Sequence, residues 1–223
     1  MLPRTLEPEV MDTEEDAEEY GAMDFTEPNT RFAEAALELI HDVPEPIVLD
    51  IGTGTAEIPL LMLARHPRLR IVAVDMADSM LRYAKRIADA HGHAGRLELR
   101  KLDAKALDLP DARFDLVMSN SLVHHIPEPA AVFREIARVA RAGAAILVRD
   151  LFRPESREIA REMVERVVGE ASEKQRGLFF DSLCAALTLD EVRDLTVRAG
   201  LVDLDIAIIS DRHWTAERRA TLG

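Results

Sequence analysis

The sequence predicts a doubly wound α/β domain, and three observations carry that prediction. Short strand-like runs recur at 47–51, 71–74, 97–102, 114–118 and 145–148. Helical stretches with one apolar face separate them. A glycine turn, Gly52-Thr53-Gly54, joins the first run to the helix that follows it. Successive strand–helix units need a crossover each time, and such units stack into a parallel sheet with helices on both faces.

Each element has a local reason. Thr26 is suited to cap a helix with Pro28 in its first turn, and Phe32, Ala36, Leu37 and Ile40 then share one face. Pro44 and Pro46 end that helix. Ile47 to Ile51 is short and almost wholly apolar, the composition of a strand buried on both sides. The glycine turn opens a helix over about 55–65, which Pro67 stops. Ile71 to Val74 is a second buried strand ending in Asp75, followed by a helix over about 78–90 that Gly92 stops. Leu97 to Leu102 and Phe114 to Met118 read as the next two strands. Pro129 starts a helix over about 129–141, Gly143 ends it, and Ala145 to Val148 is the fifth strand.

The last third breaks this rhythm. Residues 154–187 read as helical, a helical insertion where a simple repeat needs only a short connection. Thr188 with Glu191 three residues on is a capping-box pattern opening a further helix, which ends at Gly200. Segments 201–209 and 212–218 read as strands separated by a short turn, and therefore as an antiparallel hairpin. The expectation is a seven-stranded, mostly parallel, Rossmann-like sheet with an antiparallel C-terminal strand.

Composition bounds the function. The chain has 223 residues, a formal charge of −13, 48% hydrophobic and 31% charged residues, and one cysteine. Cys184 alone closes no internal disulfide. The apolar run from Ile58 to Ala64 is too short to cross a bilayer, and the N-terminus has no basic-then-apolar leader pattern. A cytoplasmic protein without a membrane partner is the expectation. Ten acids against Arg4 crowd residues 1–30, leaving the remaining chain nearly balanced. No basic stripe with interleaved aromatics is present, so nucleic acid is not an expected partner. The acidic arm is a solvated tail or a lid, since Tyr20, Met23 and Phe25 give it something to bury.

The chemistry concentrates at strand ends. Val48-Leu49-Asp50-Ile51-Gly52-Thr53-Gly54-Thr55-Ala56-Glu57 runs from buried strand through bare backbone into a helix. Ligands of such sheets bind in the crevice at the carboxyl ends of the strands. The third glycine of a dinucleotide fingerprint is replaced by Glu57, and no Gly-x4-Gly-Lys-Ser/Thr occurs. An acid at a helix N-terminus opposes a phosphate, so the turn suits a nucleoside ligand lacking phosphates and speaks against a nicotinamide oxidoreductase. Asp75 ends the next strand, 23 residues after Gly52, where a carboxylate accepts both hydrogens of a ribose diol. Asp103 follows the third strand, placed to accept from an exocyclic amine.

On these residues the sequence resembles the class I S-adenosylmethionine-dependent methyltransferases, close to the methyltransferase-11 or UbiE-like small-molecule branch. The matching segments are Val48–Ala56, Ile71–Met76, Arg100–Leu107, Phe114–Ile126 and Phe133–Asp150. The resemblance implies that Asp50, Gly52 and Gly54 surround the methionine part of S-adenosylmethionine. It implies that Asp75 holds the ribose, that Met76 packs on adenine, and that Asp103 beside Ala104 accepts from the adenine amine. Asn120 and Ser121 would line the floor near the sulfonium. Two features depart from the family: Ala56 stands at the third small position, and Ala140-Arg141-Ala142-Gly143-Ala144 replaces the frequent Leu-Lys-Pro-Gly-Gly turn.

The implied activity is methyl transfer to a small-molecule acceptor by in-line displacement, releasing S-adenosylhomocysteine. The alternative is a catalytically silent protein that binds the cofactor or a partner on the same fold. His124 and His125 follow the fourth strand at the mouth of the site, where an imidazole takes a proton or orients an acceptor. Tyr20 on the arm is a further catalytic candidate. Asp150, ending the fifth strand, and Arg153 are candidates for substrate binding. No metal site is expected: His91-x-His93 lies in a turn, no His-Glu-x-x-His occurs, and adjacent histidines on a helix cannot face one ion. The domain organisation expected is an arm or lid over 1–30 and a methyltransferase domain over 31–223. Within that domain, 151–187 would cap the substrate.

Overall fold

The computed structural model describes residues 2–7, 12–14 and 25–221. Tyr20, Met23 and the centre of the acidic arm lie outside the described residues. Helix α1 (Thr26–Leu39) precedes strand β1 (Ile47–Ile51), and then come α2 (Glu57–Arg65), β2 (Arg70–Asp75), α3 (Asp78–Ala90), β3 (Leu97–Lys101) and β4 (Phe114–Asn120). A single 3₁₀ turn (Val123–His125) leads into α4 (Pro129–Val139) and β5 (Ala140–Leu151). The chain closes with α5 (Arg157–Val168), α6 (Glu173–Ala185), α7 (Leu189–Arg198), β6 (Asp205–Ile208) and β7 (His213–Arg218).

The seven strands form one sheet in the order β3-β2-β1-β4-β5-β7-β6. Strands β1 to β5 pair in parallel, and β7 runs antiparallel to both β5 and β6. The order reverses at β1, which puts a topological switch point between β1 and β4. Alternate residues of the central strands serve opposite faces. Val48, Leu116 and Leu147 pack under α1 to α3, while Leu49, Val117 and Ile146 pack with α4 and α7. That two-sided burial is why the central strands read as continuous apolar runs. No helix among the described residues is long and apolar enough to cross a membrane.

Several expectations shift by a few residues for physical reasons. Thr26 is the first helical residue of α1, and Phe25 occupies the cap position. Helix α4 ends at Val139 because Ala140 already pairs with Phe114, so β5 is far longer than the 145–148 run suggested. The unusual 140–144 turn is thereby absorbed into a strand. Residues 154–187 are two helices, since Ser172 and Gln175 build a reciprocal capping box that restarts the chain after α5. The capping box at Thr188 and Glu191 forms as expected, and the terminal hairpin pairs as expected. Helices α5 and α6 share a small apolar cluster of their own, with Met163, Val164 and Leu183 at its centre.

Candidate active site

The crevice at the carboxyl ends of β1, β2, β3 and β4 begins with the turn after β1. Gly52 and Gly54 both have positive φ, at 75° and 54°. A Cβ on Gly52 would come within 2.9 Å of the Leu122 side chain, so this stretch of backbone has to be bare. The Gly52 and Thr53 amides donate to Val74 O, tying the turn to the end of β2. Ala56, at φ 58°, holds a left-handed conformation that costs a Cβ-bearing residue about 1 kcal/mol. Glu57 is the first residue of α2 and accepts from Asn29 Nδ2 at 2.8 Å. The negative end-group opposes a phosphate at this helix start, as the sequence indicated.

Asp75 bridges two backbone segments. Its Oδ2 accepts from the Gly54 amide at 2.8 Å, and its Oδ1 accepts from the Ala77 amide at 2.9 Å. Burial raises its carboxyl above the ordinary value, and the amides of Ala77, Gly54 and Met76 restrain the rise. Gly52, Gly54, Asp75 and Met76 line one hollow with Ala104 from the β3 loop. Asn120, Ser121 and His125 close its other side. Asn120 Oδ1 accepts from Arg149 Nε at 2.7 Å, which fixes the amide's orientation. The β3 loop is held from behind by Arg138, whose guanidinium donates to Leu107 O and Leu109 O at 2.8 Å each.

Asp50, Asp103 and Arg153 are among the expected residues that do not line the hollow. Asp50 lies fully buried beneath the turn rather than on the hollow's surface. Burial pushes its carboxyl up to about 7, with the Thr53 hydroxyl opposing and the Asp75 charge adding. The folded state therefore keeps a proton on Asp50 that the unfolded chain releases near pH 4, so rising pH costs stability between about 4 and 7. Asp50→Asn is expected to remove that slope: thermal melts at pH 5 and pH 8 should lie closer together than for the unaltered chain. Asp103 turns away from the hollow and accepts from the Lys105 amide at 2.8 Å, leaving the buried Ala104 to face inward. Arg153 is 8% exposed and donates to Ala186 O at 2.9 Å and to Glu191 at 2.7 Å. It borders a second cleft between α5 and α7 and does not line the hollow holding Asp75.

The two histidines divide their duties. His125 is one-quarter exposed and lines the hollow, whereas His124 is 4% exposed and sits behind it. Asp150, expected to meet substrate, instead supports His124. Its Oδ1 lies 2.5 Å from His124 Nδ1, and its Oδ2 accepts from the His124 amide at 3.1 Å. Burial works against both charges, but their mutual attraction outweighs it, so the Asp150 pKa falls and the His124 pKa rises.

Glu7 is the residue that sequence reasoning missed. Its Oε1 lies 3.1 Å from His125 Nδ1 and 3.5 Å from His124 Nε2, while Ser182 Oγ donates to Oε2 at 3.2 Å. Burial raises its carboxyl despite the His124 charge. The strap that carries it is pinned by Arg4, which donates to the carbonyls of Ala185, Ile126 and His124 at 2.6, 2.8 and 3.1 Å. The expectation that adjacent histidines cannot share a focus is corrected here, because a 3₁₀ turn, rather than an α-helix, carries them and Glu7 meets both.

Comparison with known proteins bears on this geometry. Residues 49–148 match the family described as Methyltransferase domain. A phosphatidylethanolamine N-methyltransferase of Cereibacter sphaeroides is 38% identical over 101 residues, covering 45% of this chain and 48% of its own length. A demethylmenaquinone methyltransferase of Thermus thermophilus is 32% identical over 120 residues, covering 53% of each chain. The chain thus spans about half the length of these curated relatives. Among solved structures, an S-adenosyl-L-methionine-dependent methyltransferase from Methanococcus maripaludis, itself described as putative, superposes with a TM-score of 0.70. It covers 98% of this chain and 99% of its own at 18% identity, a likeness of fold.

Proposed function

We propose, for a chain whose residues 49–148 are a class I S-adenosylmethionine-dependent methyltransferase domain, that the crevice passes a methyl group to a small-molecule acceptor entering beside His125. One observation carries the reading. A single hollow collects the bare Gly52–Gly54 backbone, the Asp75 carboxylate, the Ala104 edge and the partly exposed His125 imidazole, from the ends of four neighbouring strands. The residues fit the cofactor: the Gly52 cradle leaves no room for a Cβ, and Glu57 opposes a pyrophosphate.

When bound, S-adenosylmethionine supplies a methyl already activated on a sulfonium sulfur. The chain's part is then chiefly to align, since near-attack placement supplies much of the acceleration in such displacements. Asp75 would hold the ribose hydroxyls with the lone pairs left by Gly54 and Ala77. Met76 and Ala104 would sandwich the purine, with Asp103 supporting the loop from outside. Asn120 and Ser121 would floor the reacting end, and Asp50 would brace the turn under the methionine part. His125 would receive or orient the acceptor's proton-bearing atom. The helical pair α5–α6 would cap the acceptor, because α6 packs beside the 3₁₀ turn that carries the histidines.

Calorimetric titration with S-adenosylhomocysteine is expected to show one site, and labelled S-adenosylmethionine offered with a panel of small hydroxyl, amine and thiol compounds is expected to give a methylated product. No binding of S-adenosylhomocysteine would overturn the reading. Binding with no product across the panel would favour a silent cofactor-binding protein.

A further inference from the structure

We propose that Glu7, His124 and His125 form a binding site for one divalent transition-metal ion of the zinc class at the mouth of the crevice. The donor set is two imidazoles and one carboxylate, the composition that catalytic zinc sites use when they keep a fourth position open. Their ligand atoms all lie within 4.8 Å of one another.

Two of the three donor–donor separations are those a shared tetrahedral ion requires. Metal–donor bonds of about 2.0–2.1 Å in a tetrahedron place donor atoms about 3.3 Å apart. Glu7 Oε1 stands 3.1 Å from His125 Nδ1 and 3.5 Å from His124 Nε2, on either side of that edge. The longer separation exceeds a good hydrogen bond. Glu7 Oε1 is buried and accepts no hydrogen bond among the described residues. Its partners among those residues are the two imidazoles alone, and a bound cation would satisfy a buried carboxylate oxygen more fully than these contacts do.

The surroundings are built for ligation. Asp150 engages His124 Nδ1 at 2.5 Å, which turns the ring so that Nε2 points at the focus. Metal-bound histidines are characteristically held in this way through their other nitrogen. Glu7 reaches the focus from a different part of the chain, and its approach is fixed by Arg4 and by the Thr5 amide donating to Cys184 O at 3.0 Å. His125 also lines the hollow, so the site adjoins the crevice and leaves a fourth position for a further ligand. It would take water or an oxygen- or sulfur-bearing acceptor, a role that rests on the methyl-transfer reading, whereas the site itself does not.

Cobalt(II) is the probe, added to the full chain after chelator treatment. The visible absorption of four-coordinate cobalt is expected to saturate at one equivalent and to be displaced by zinc. Glu7→Gln keeps the size of the side chain but removes the anionic ligand, and is expected to weaken cobalt binding at least tenfold. His125→Ala is expected to do the same, and Asp150→Asn to weaken it by about 10–100-fold through His124. His91→Ala is expected to change nothing. Circular dichroism on each variant separates lost ligation from lost folding. An absence of saturable binding, or unaltered affinity in a folded Glu7→Gln chain, would overturn the proposal. S-adenosylhomocysteine affinity in Glu7→Gln is expected to be unchanged. Cobalt binding in a chain that binds no S-adenosylhomocysteine would sink the methyl-transfer reading and leave the metal site standing.

Discussion

Asp75→Ala is expected to lower the affinity for S-adenosylhomocysteine by at least 100-fold while leaving the far-ultraviolet circular dichroism unchanged. Two effects point the same way. A hydrogen bond to a charged group contributes about 1.5–3 kcal/mol, and a ribose diol offers two, so their joint loss corresponds to a factor of roughly 10² or more. The same carboxylate also fastens the Gly54 and Ala77 amides, so its removal loosens the cradle before any ligand arrives. Asp75→Asn separates the two. A neutral amide retains one acceptor and presents a donor to the other amide, so its affinity is expected to fall between the two extremes. Titration calorimetry reads all three chains, and an Ala variant that binds as tightly as the original would remove Asp75 from the site.

The strand ends were legible in the sequence because the physics that makes them is local. A buried strand cannot be long and polar, a left-handed turn favours glycine, and an acid directly after a β-branched run, as Asp75 after Ile71–Val74, is visible as such. Asp75, at the end of its strand, reaches the hollow with Met76, Ala104, Asn120 and Ser121, the residues that the family resemblance implied. What sequence could not supply was the direction of a side chain once the strand has ended. Asp103 and Ala104 are neighbours, and only the structure tells which of them turns inward. Asp150 and Arg153 were legible as charged residues at the end of β5. Their internal partners come from the 3₁₀ turn and from α7, segments far away along the chain.

Glu7 was illegible for another reason. It is one of ten acids in the first thirty residues, and nothing in composition or periodicity separates it from the other nine. Its distinction is tertiary: Arg4, three residues earlier, reaches four carbonyls and brings the strap over the histidines. The pairing of one basic residue with a long acidic run is a faint signal that such a run is anchored at that point. Ser172 and Gln175 differ: the capping box that splits the helical insertion in two is a local pattern of the same kind as Thr188 with Glu191.

Asp150→Ala is the substitution expected to cost the most stability, about 3–5 kcal/mol, the range for removing one partner of a buried ion pair. The carboxylate is 1% exposed and satisfies three hydrogens: the His124 ring, the His124 amide and the Leu151 amide. Alanine leaves all three without an acceptor in a space water does not reach. For a chain of this size each kcal/mol moves the melting temperature by about 2–4 °C, so a fall of roughly 10 °C is expected by scanning calorimetry. Asp150→Asn keeps one acceptor and should lose less. Arg219→Ala breaks an exposed pair with Glu38 that water replaces at once, and its melting temperature should be indistinguishable from that of the unaltered chain. A small effect at Asp150 would mean that His124 readily gives up its charge and finds another partner. That outcome would remove Asp150 as the group that aims His124 toward the mouth of the crevice, because a support that can be deleted without strain was not holding the ring in place.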